Sequence, residues 1–300
     1  MASPIEVILI PTVLIIIGYV LKRIGMLKAQ DSSTLSKIVT NVSMPALIFV
    51  NLSTAKLNLS MIELPIATFI VSISCLTIAY LFCRTKHYSK VKTWTIMLAA
   101  AMINTGFIGY PITLGVYGNE GFLRAIFCDL ATTMLFVIYG MVLVKEFGGD
   151  TRKVIIEGAK FMPFWAVVLG ILFGMTHIQL GYVINNVLEY LGQATIPLIM
   201  ISLGLTLDFK DMKKYLSTTL VVSFIRLVIS PVLMFIILTI IGVKGLGFKV
   251  AILESGMSTA MYSLVLSLTY DLDYKLMSSC IFTDILLSLG TLTVIISLLG

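Results

Sequence analysis

Long apolar runs constrain this chain more than any other feature of its sequence. A membrane-spanning helix needs about 20 mostly apolar residues, and ten segments meet that requirement. Their predicted bounds are 4–22, 33–53, 64–83, 94–117, 121–145, 155–176, 184–206, 215–241, 247–269 and 275–299. The connections between them are too short to hold a soluble domain. We therefore expect an all-α polytopic membrane protein with ten transmembrane helices.

Composition supports a protein that uses lipid as solvent. Charged residues make up 12% of the 300 and hydrophobic residues 58%, and the mean hydropathy is +1.04. A soluble domain carries about twice that charged fraction. The net charge of +6 does not indicate nucleic-acid binding, because the basic residues lie in short connections rather than on one face of a folded domain. We therefore expect the lipid bilayer as a partner and do not expect a nucleic acid.

Cysteine and histidine usage predicts neither a metal site nor a cofactor site. The cysteines have no CxxC spacing and lie within or at the ends of apolar runs, at Cys75, Cys83, Cys128 and Cys280. Such spacing favours neither zinc nor a disulfide framework. Both histidines, His87 and His177, are expected in solvated loops.

Loop charge predicts the orientation. With the N-terminus outside, sixteen Lys and Arg residues fall in inner connections and four in outer ones, at Lys56, Arg124, Lys244 and Lys249. Cytoplasmic loops carry the excess of Lys and Arg. We therefore expect both termini on the outer side of the cytoplasmic membrane.

Short motifs recur in order between residues 1–150 and 151–300. The pairs are Pro11 and Gly18 with Pro163 and Gly170 (offset 152), Asn41–Pro45 with Gln193–Pro197 (offset 152), Asn104–Gly106 with Glu254–Gly256 (offset 150) and Asp129 with Asp284 (offset 155). Each half holds five helices, an odd number, so the second half is expected upside down relative to the first. Two inverted five-helix repeats are typical of secondary transporters.

Helix 4 carries a break signal at mid-membrane depth. In Asn104-Thr-Gly-Phe-Ile-Gly-Tyr-Pro111, proline removes a backbone donor and glycine lowers the cost of leaving helical geometry. Unpaired backbone groups at that depth must be buried in protein or line a wet cavity. The half-helix after the break would present its positive end to an anion. A simple kink that allows close helix packing is the alternative.

Helix 9 carries the matching signal, Glu254-Ser-Gly-Met-Ser-Thr-Ala260, in which Ser258 or Thr259 could cap a second half-helix. Paired interruptions in two halves point to a transporter binding site. The candidate substrate-binding residues are Asn104, Thr105, Gly106, Pro111, Glu254, Ser255, Gly256, Ser258 and Thr259.

Four ionisable residues fall inside the predicted helices, namely Asp129, Arg226, Glu254 and Asp284. Such residues are costly in a bilayer, and all four are candidates for ion coupling or charge relay. Glu254 is the leading candidate for proton exchange. For Asp129 and Asp284, structural hydrogen bonding and proton or cation handling remain open. Arg226 could form an ion pair with Glu254 or Asp284, or attract an anionic substrate.

Two further prolines, Pro45 and Pro197, are expected to bend helices 2 and 7.

At these motifs the sequence resembles the auxin efflux carrier family, which includes plant PIN proteins and prokaryotic relatives. The motifs are Asn41-x-x-x-Pro45-Ala-Leu-Ile-Phe49, Asn104-Thr-Gly-Phe-Ile-Gly-Tyr-Pro111, Phe127-x-Asp129 and Glu254-Ser-x-Met257. The long cytoplasmic loop of many plant members is absent, as in a short prokaryotic-type member. Family members often have prolines after the helix 9 methionine, whereas Met257 is followed here by Ser-Thr-Ala. This departure puts the geometry carried over for helix 9 in question.

The resemblance implies a fold akin to bile-acid symporters. Helices 1, 2, 6 and 7 would form a scaffold, and helices 3–5 and 8–10 a moving domain in which helices 4 and 9 cross. It also implies an anionic substrate contacted by Asn104, and a homodimer formed through the scaffold.

We therefore expect a secondary active carrier of small organic anions such as carboxylates, working by alternating access. Proton coupling, sodium coupling and uniport all remain open. A transporter-like sensor without turnover and an anion channel are the alternatives. An intramembrane enzyme is not expected, because repeat symmetry places Asp129 and Asp284 towards opposite faces and no histidine lies in a helix interior.

Overall fold

The computed structural model describes residues 4–55, 58–176, 178, 180–207 and 212–300. In these ranges the chain is helical, with one isolated antiparallel bridge between Ile103 and Thr259. The helices are α1 (Pro4–Arg23), α2 (Asp31–Ile38), α3 (Met44–Ser53), α4 (Glu63–Thr85), α5 (Lys90–Ala101), α6 (Tyr110–Phe147), α7 (Thr151–Ala159), α8 (Met162–Thr176), α9 (Tyr182–Gln193), α10 (Thr195–Thr206), α11 (Met212–Phe224), α12 (Ser230–Ile241), α13 (Gly245–Ser255), α14 (Tyr262–Thr269) and α15 (Tyr274–Leu299). Lys56 and His177, which the sequence places in loops, lie outside the described residues.

The helices are those of a multi-pass membrane protein. By length and composition, seven described helices could cross a membrane, or eight if α7 and α8, bent by 47°, form one span. The span 105–147 is 43 residues long, about 65 Å at 1.5 Å per residue. That is about twice the hydrocarbon thickness of a bilayer. Inside it, Gly118 has φ 62° and ψ −162°, so the helix is interrupted there.

Prolines follow the helical irregularities. Three five-residue π-helical turns each stand two residues before a proline: Val39–Ser43 before Pro45, Thr105–Gly109 before Pro111, and Ile225–Ile229 before Pro231. Proline has no N–H and its ring clashes with the carbonyl four residues back, and the wider π-helical turn accommodates both effects. Pro197 lies in the first turn of α10, after the interruption at Ala194.

The chain divides into two compact units. Unit 1 comprises Met1–Leu59 and Glu157–Leu207, and unit 2 comprises Ser60–Ile156 and Asp208–Gly300. Unit 1 holds predicted helices 1, 2, 6 and 7, and unit 2 holds the others. This is the grouping that the family resemblance implies for scaffold and moving domain. Each unit draws on both halves of the chain, so the repeats 1–150 and 151–300 are a different division and stay a prediction.

Close glycine contacts join α1 and α10 inside unit 1. A Cβ on Gly18 would lie 2.2 Å from the carbonyl oxygen of Ile201, and a Cβ on Gly204 would lie 2.0 Å from that of Ile15. Real Cβ atoms do not approach backbone so closely. Glycine at both positions therefore allows the two helix backbones to touch.

A related contact joins α8 and α3. A Cβ on Gly170 would lie 2.7 Å from the Cβ of Leu52 and 3.4 Å from the carbonyl oxygen of Phe49. Gly18 and Gly170 differ by 152 residues, and so do Phe49 and Ile201. The same glycine contact is thus made twice, with the two halves of the chain exchanged.

Candidate functional site

Two interrupted helices cross in unit 2. The α5 helix ends at Ala101, after which Met102 is extended, with φ −86° and ψ 118°. The backbone N–H of Asn104 donates to the carbonyl of Ser258 at 3.0 Å, and the N–H of Ala260 donates to the carbonyl of Met102 at 2.9 Å. The two breaks therefore satisfy part of each other's backbone, as buried polar groups require.

These bonds account for the Ser-Thr-Ala sequence after Met257. Besides the Ala260 bond, the N–H of Thr259 donates to Oδ2 of Asp284 at 3.3 Å. Proline supplies no N–H and could make neither bond. The geometry of helix 9 is therefore held by backbone donors that prolines at these positions would remove.

The predicted capping of the second half-helix by Ser258 or Thr259 is wrong. Helix α14 begins at Tyr262 behind Met261, without a side-chain cap. The hydroxyl of Ser258 instead accepts from Nδ2 of Asn104 at 3.2 Å. The hydroxyl of Thr259 lies 2.7 Å from the carbonyl of Ala99 and 2.6 Å from Oδ2 of Asp284. Both hydroxyls tie the crossing together and are not available as caps.

The predicted alignment of the two breaks is also wrong. The half-helix ends Ala101 and Ser255 are 154 residues apart, so Asn104 faces Ser258 and does not correspond to Glu254. The difference from the predicted offset of 150 is four residues, about one helical turn. Glu254 therefore lies in the last turn of α13, before the break.

The carbonyl groups at the end of α5 all have partners. Leu98 accepts from the N–H of Met102, Ala99 from the hydroxyl of Thr259, Ala100 from Nη1 of Arg226 and Ala101 from the hydroxyl of Ser72. The last four carbonyls of a helix have no partner within it. Side chains from other helices of unit 2 supply what the broken helix lacks.

Of the two alternatives for Arg226, the ion pair with Glu254 or Asp284 is not formed. In the described part of the chain the salt bridges join Lys90 to Glu146 and Arg124 to Glu120. The guanidinium of Arg226 is fully buried and donates to carbonyl groups instead. Backbone acceptors at helix ends carry partial negative charge and replace the expected carboxylate.

Glu254 has an unusual environment. Glu254 is 1% exposed, and its Oε1 accepts from the hydroxyl of Thr113. Its Oε2 has no hydrogen-bond partner among the residues that the structure describes. A Cβ on Gly109 would lie 2.1 Å from that oxygen, so the carboxyl group packs against the π-helical turn Thr105–Gly109. Leaving one oxygen of a buried carboxylate unpaired is costly, which makes Glu254 a candidate to hold a proton or a cation.

Asp129 and Asp284 occupy similar positions around the crossing. Asp129 accepts from the hydroxyls of Thr105, Thr132 (2.7 Å) and Tyr110 (2.9 Å). Asp284 accepts from the hydroxyl of Ser223 and from Thr259. The two threonines are 154 residues apart and the two aspartates 155. Each aspartate thus holds a threonine of one crossing segment.

The start of the π-helical turn offers unpaired donors. The carbonyl of Asn104 accepts from the N–H groups of Ile108 at 3.3 Å and Gly109 at 3.1 Å. Among the described residues, no acceptor bonds to the N–H groups of Thr105, Gly106 and Phe107. Gly106 is partly exposed, whereas its neighbours are buried. Free N–H groups at a helix start attract anions.

The other candidates shape the backbone. The hydroxyl of Ser255 donates to Ile252 in its own helix at 2.8 Å. Gly256 follows the end of α13, and Pro111 lies in the first turn of α6. The structure therefore brings Asn104, Thr105, Ser258 and Thr259 together but gives Ser255, Gly256 and Pro111 supporting positions.

Several polar partners at the crossing were not predicted from the sequence. These are Ser72, Tyr110, Thr113, Thr132, Ser223 and Ser230. The available signal was a small or aromatic hydroxyl inside an apolar helix, which in membrane proteins often bonds across helices.

Comparison with known proteins identifies the family. The sequence matches the family described as membrane transport protein over residues 5–158 and 150–296. An uncharacterized transporter of Methanothermobacter thermautotrophicus is 41% identical over 289 residues, which cover 96% of this chain and 95% of the relative. The uncharacterized transporter MJ1031 of Methanocaldococcus jannaschii is 36% identical over 296 residues, covering 95% and 96%. The uncharacterized transporter YfdV of Escherichia coli is 21% identical over 207 residues, covering 65% and 66%. The chain therefore belongs to the membrane transport protein family, the auxin efflux carrier family that its motifs resemble, and is a short prokaryotic-type member.

Proposed function

We propose that this protein is a secondary active carrier of small organic anions, such as carboxylates, and that it works by alternating access. The observation that carries the proposal is that the N–H groups of Thr105, Gly106 and Phe107 have no acceptor among the described residues. They lie beside Asn104, and Gly106 itself is partly exposed. Half-helix N-terminal ends of this kind hold anionic substrate groups in transporters with broken helices.

In this proposal the substrate carboxylate accepts from the N–H groups of the π-helical turn. Asn104 and Ser258 orient it, because their side chains bond to each other across the crossing at 3.2 Å. Asp129 and Asp284 fix the backbone at Thr105 and Thr259 through hydrogen bonds to the threonine hydroxyls. The two threonines contribute to binding through this backbone position. Lipid-soluble or cationic substrates would gain nothing from this arrangement of donors.

Glu254 couples transport to protons. It is buried, one of its oxygens has no partner in the described part of the chain, and it packs on the turn that would bind the substrate. A proton gained or lost at this carboxyl would change the charge beside the anion. Sodium coupling and uniport are the alternatives, and the same uptake measurement distinguishes all three.

The proposed topology has ten spans in two inverted repeats, with both termini outside and a homodimer formed through unit 1. The division of the 43-residue span at Gly118 supports the count. The glycine contacts repeated at an offset of 152 and the Thr–Asp contacts repeated at 154 to 155 support the repeats. Cysteine accessibility on each side of the membrane tests the orientation, and cross-linking tests the dimer.

Uptake by purified protein in liposomes tests the function. Radiolabelled dicarboxylates, monocarboxylates and indole-3-acetate are offered with and without proton or sodium gradients. Saturable uptake whose half-maximal concentration rises in Asn104→Ala and stays unchanged in Asn41→Ala supports the carrier. Binding of a panel compound without uptake supports a sensor, and non-saturable current through the liposome membrane supports a channel. If the protein neither takes up nor binds any anion on the panel, the proposal is contradicted.

A further inference from the structure

Arg226 bonds to backbone rather than to carboxylates. Its Nη2 donates to the carbonyl of Ser255 at 2.6 Å, its Nη1 to that of Ala100 at 3.0 Å and its Nε to that of Met257 at 3.2 Å. Nη2 also donates to the hydroxyl of Ser230 at 2.6 Å. A guanidinium has five N–H donors in a fixed fork, and these four bonds use most of them.

The carbonyl acceptors belong to the C-terminal ends of both broken helices. Ala100 lies in the last turn of α5, Ser255 ends α13, and Met257 follows it. Each C-terminal end carries roughly half a negative charge, so the two ends together offset about one guanidinium charge. Arg226 is therefore matched in charge to the pair of ends as well as in geometry.

Hydrogen bonding alone does not require a cation here. Ser72 donates to the carbonyl of Ala101 at 2.9 Å with a neutral hydroxyl. Ser72 and Arg226 are 154 residues apart, as are their acceptors Ala101 and Ser255. Ser230 already donates to Ser255 at 2.8 Å. What Arg226 adds to the crossing, compared with its counterpart Ser72, is a permanent positive charge.

Asp284, Cys75 and Tyr139 are the ionisable groups that interact electrostatically with Arg226. Asp284 is the acidic member of that set, and it is held by Ser223 and Thr259. The guanidinium therefore has one carboxyl group among its electrostatic neighbours and the two helix ends at hydrogen-bond range.

In transporters with broken helices, half-helix C-terminal ends and unwound carbonyls commonly coordinate the coupled Na⁺ or H⁺. We propose that Arg226 is a resident cation: its guanidinium fills the place at the two C-terminal ends where such a carrier would bind Na⁺, so that anion transport by this protein needs no sodium. This rests on the proposed carrier function. The positive charge stays with the protein through the cycle and holds the ends of α5 and α13 together.

The first test separates charge from hydrogen bonding in purified full-length protein. Arg226→Lys keeps the charge, whereas Arg226→Gln keeps donors without it. We expect the thermal unfolding midpoint of the Lys variant to stay nearer to that of the wild type than the Gln variant's does. Equal midpoints for the two variants overturn the proposal. Arg124→Gln, which removes an arginine that pairs with Glu120 near the surface, is the matched control and should change little.

The second test is chemical rescue. Arg226→Ala opens space at the carbonyl groups, and millimolar guanidinium should raise its unfolding midpoint while leaving the wild type and Arg124→Ala unchanged. Sodium, compared with potassium, should stabilise Arg226→Ala if the vacated place accepts a small cation. The absence of any cation effect on Arg226→Ala contradicts a resident cation. Both melting tests stand even if no anion on the panel is transported.

The third test is uptake. Replacing sodium by potassium should leave the wild-type uptake rate unchanged. Arg226→Gln should lower that rate by about tenfold or more, because the partial negative charges of the two helix ends would be buried without a compensating cation, which is costly. Wild-type uptake that requires sodium overturns the proposal and leaves the carrier function standing. Wild-type protein that moves no anion contradicts the carrier function instead, and the melting tests then decide the role of Arg226.

Discussion

The carboxyl group of Glu254 lies directly against Gly109, where a Cβ would stand 2.1 Å from Oε2. The contact joins the last turn of α13 to the π-helical turn after the break in helix 4. Any side chain at position 109 must therefore displace the glutamate. This contact links the proposed proton site to the proposed anion site.

Gly109→Ala should displace Glu254 and lower both stability and transport. Overpacking of a buried site costs about 1–3 kcal/mol, measured as a loss of unfolding free energy. Gly290→Ala is the control, because nothing lies within 4 Å of a Cβ there and alanine favours the helix. Truncation in Gly109→Ala/Glu254→Ala removes the clash, so the two single effects should not add. Strict additivity would show that the two residues are not in contact.

Glu254→Gln should abolish the dependence of uptake on a proton gradient. The amide resembles the neutral carboxyl in shape but neither gains nor loses a proton in the physiological pH range. Uptake measured with and without an imposed gradient gives the answer, with exposed Glu120→Gln as the control. Unchanged gradient dependence in the variant means that the coupling proton binds elsewhere.

Tyr110→Phe should weaken the support of Asp129 without a change in packing. The ring of Tyr110 stays against Phe122, with centroids 4.9 Å apart, whereas its 2.9 Å hydrogen bond to Asp129 is lost. A hydrogen bond to a charged group contributes about 1.5–3 kcal/mol, and the unfolding free energy should fall by that order. Tyr215→Phe serves as the control, because Tyr215 lies in α11 and not in either crossing segment. A Tyr110→Phe variant as stable as the wild type would show that this hydrogen bond does not stabilise the fold.

Asn104→Ala should reduce substrate affinity more than stability. The side chain bonds to Ser258, but the backbone bonds of Asn104 and Ala260 remain. We expect the concentration for half-maximal uptake to rise about tenfold, as for loss of one good polar contact, with the unfolding midpoint close to that of wild type. A variant that unfolds much earlier but transports normally would assign Asn104 a structural role.

The helices and their interruptions follow from local chemistry and were predictable. Runs of apolar residues must reach across the bilayer, and Pro111 with its neighbouring glycines cannot continue a regular helix. The break in helix 4, however, begins at Met102, because the backbone there bonds to the opposing segment. That partner is remote in sequence, and no local rule indicates it.

The alignment of the two breaks and the partners of Arg226 were not predictable. A shift of four residues returns a helical position to the same face, so the pattern cannot distinguish Glu254 from Ser258 as the counterpart of Asn104. For Arg226 the sequence left open an ion pair with a carboxylate or attraction of an anionic substrate, but its acceptors are carbonyl groups and the hydroxyl of Ser230. Every residue has a carbonyl group. A backbone acceptor does not depend on residue type, so the sequence does not indicate which carbonyl groups Arg226 will bond.

The glycine contacts of unit 1 bear on how such a chain could be divided. The α1–α10 contact at Gly18 and the α3–α8 contact at Gly170 each join a helix from residues 1–150 to one from 151–300. Neither half of the chain could bury the helix faces at Gly18 and Gly170 alone, because the helix that packs against each face belongs to the other half. Two separately expressed polypeptides, cut in the short connection between α6 and α7, should therefore reassemble into one protein, as would two copies of a single ancestral half inserted in opposite orientations.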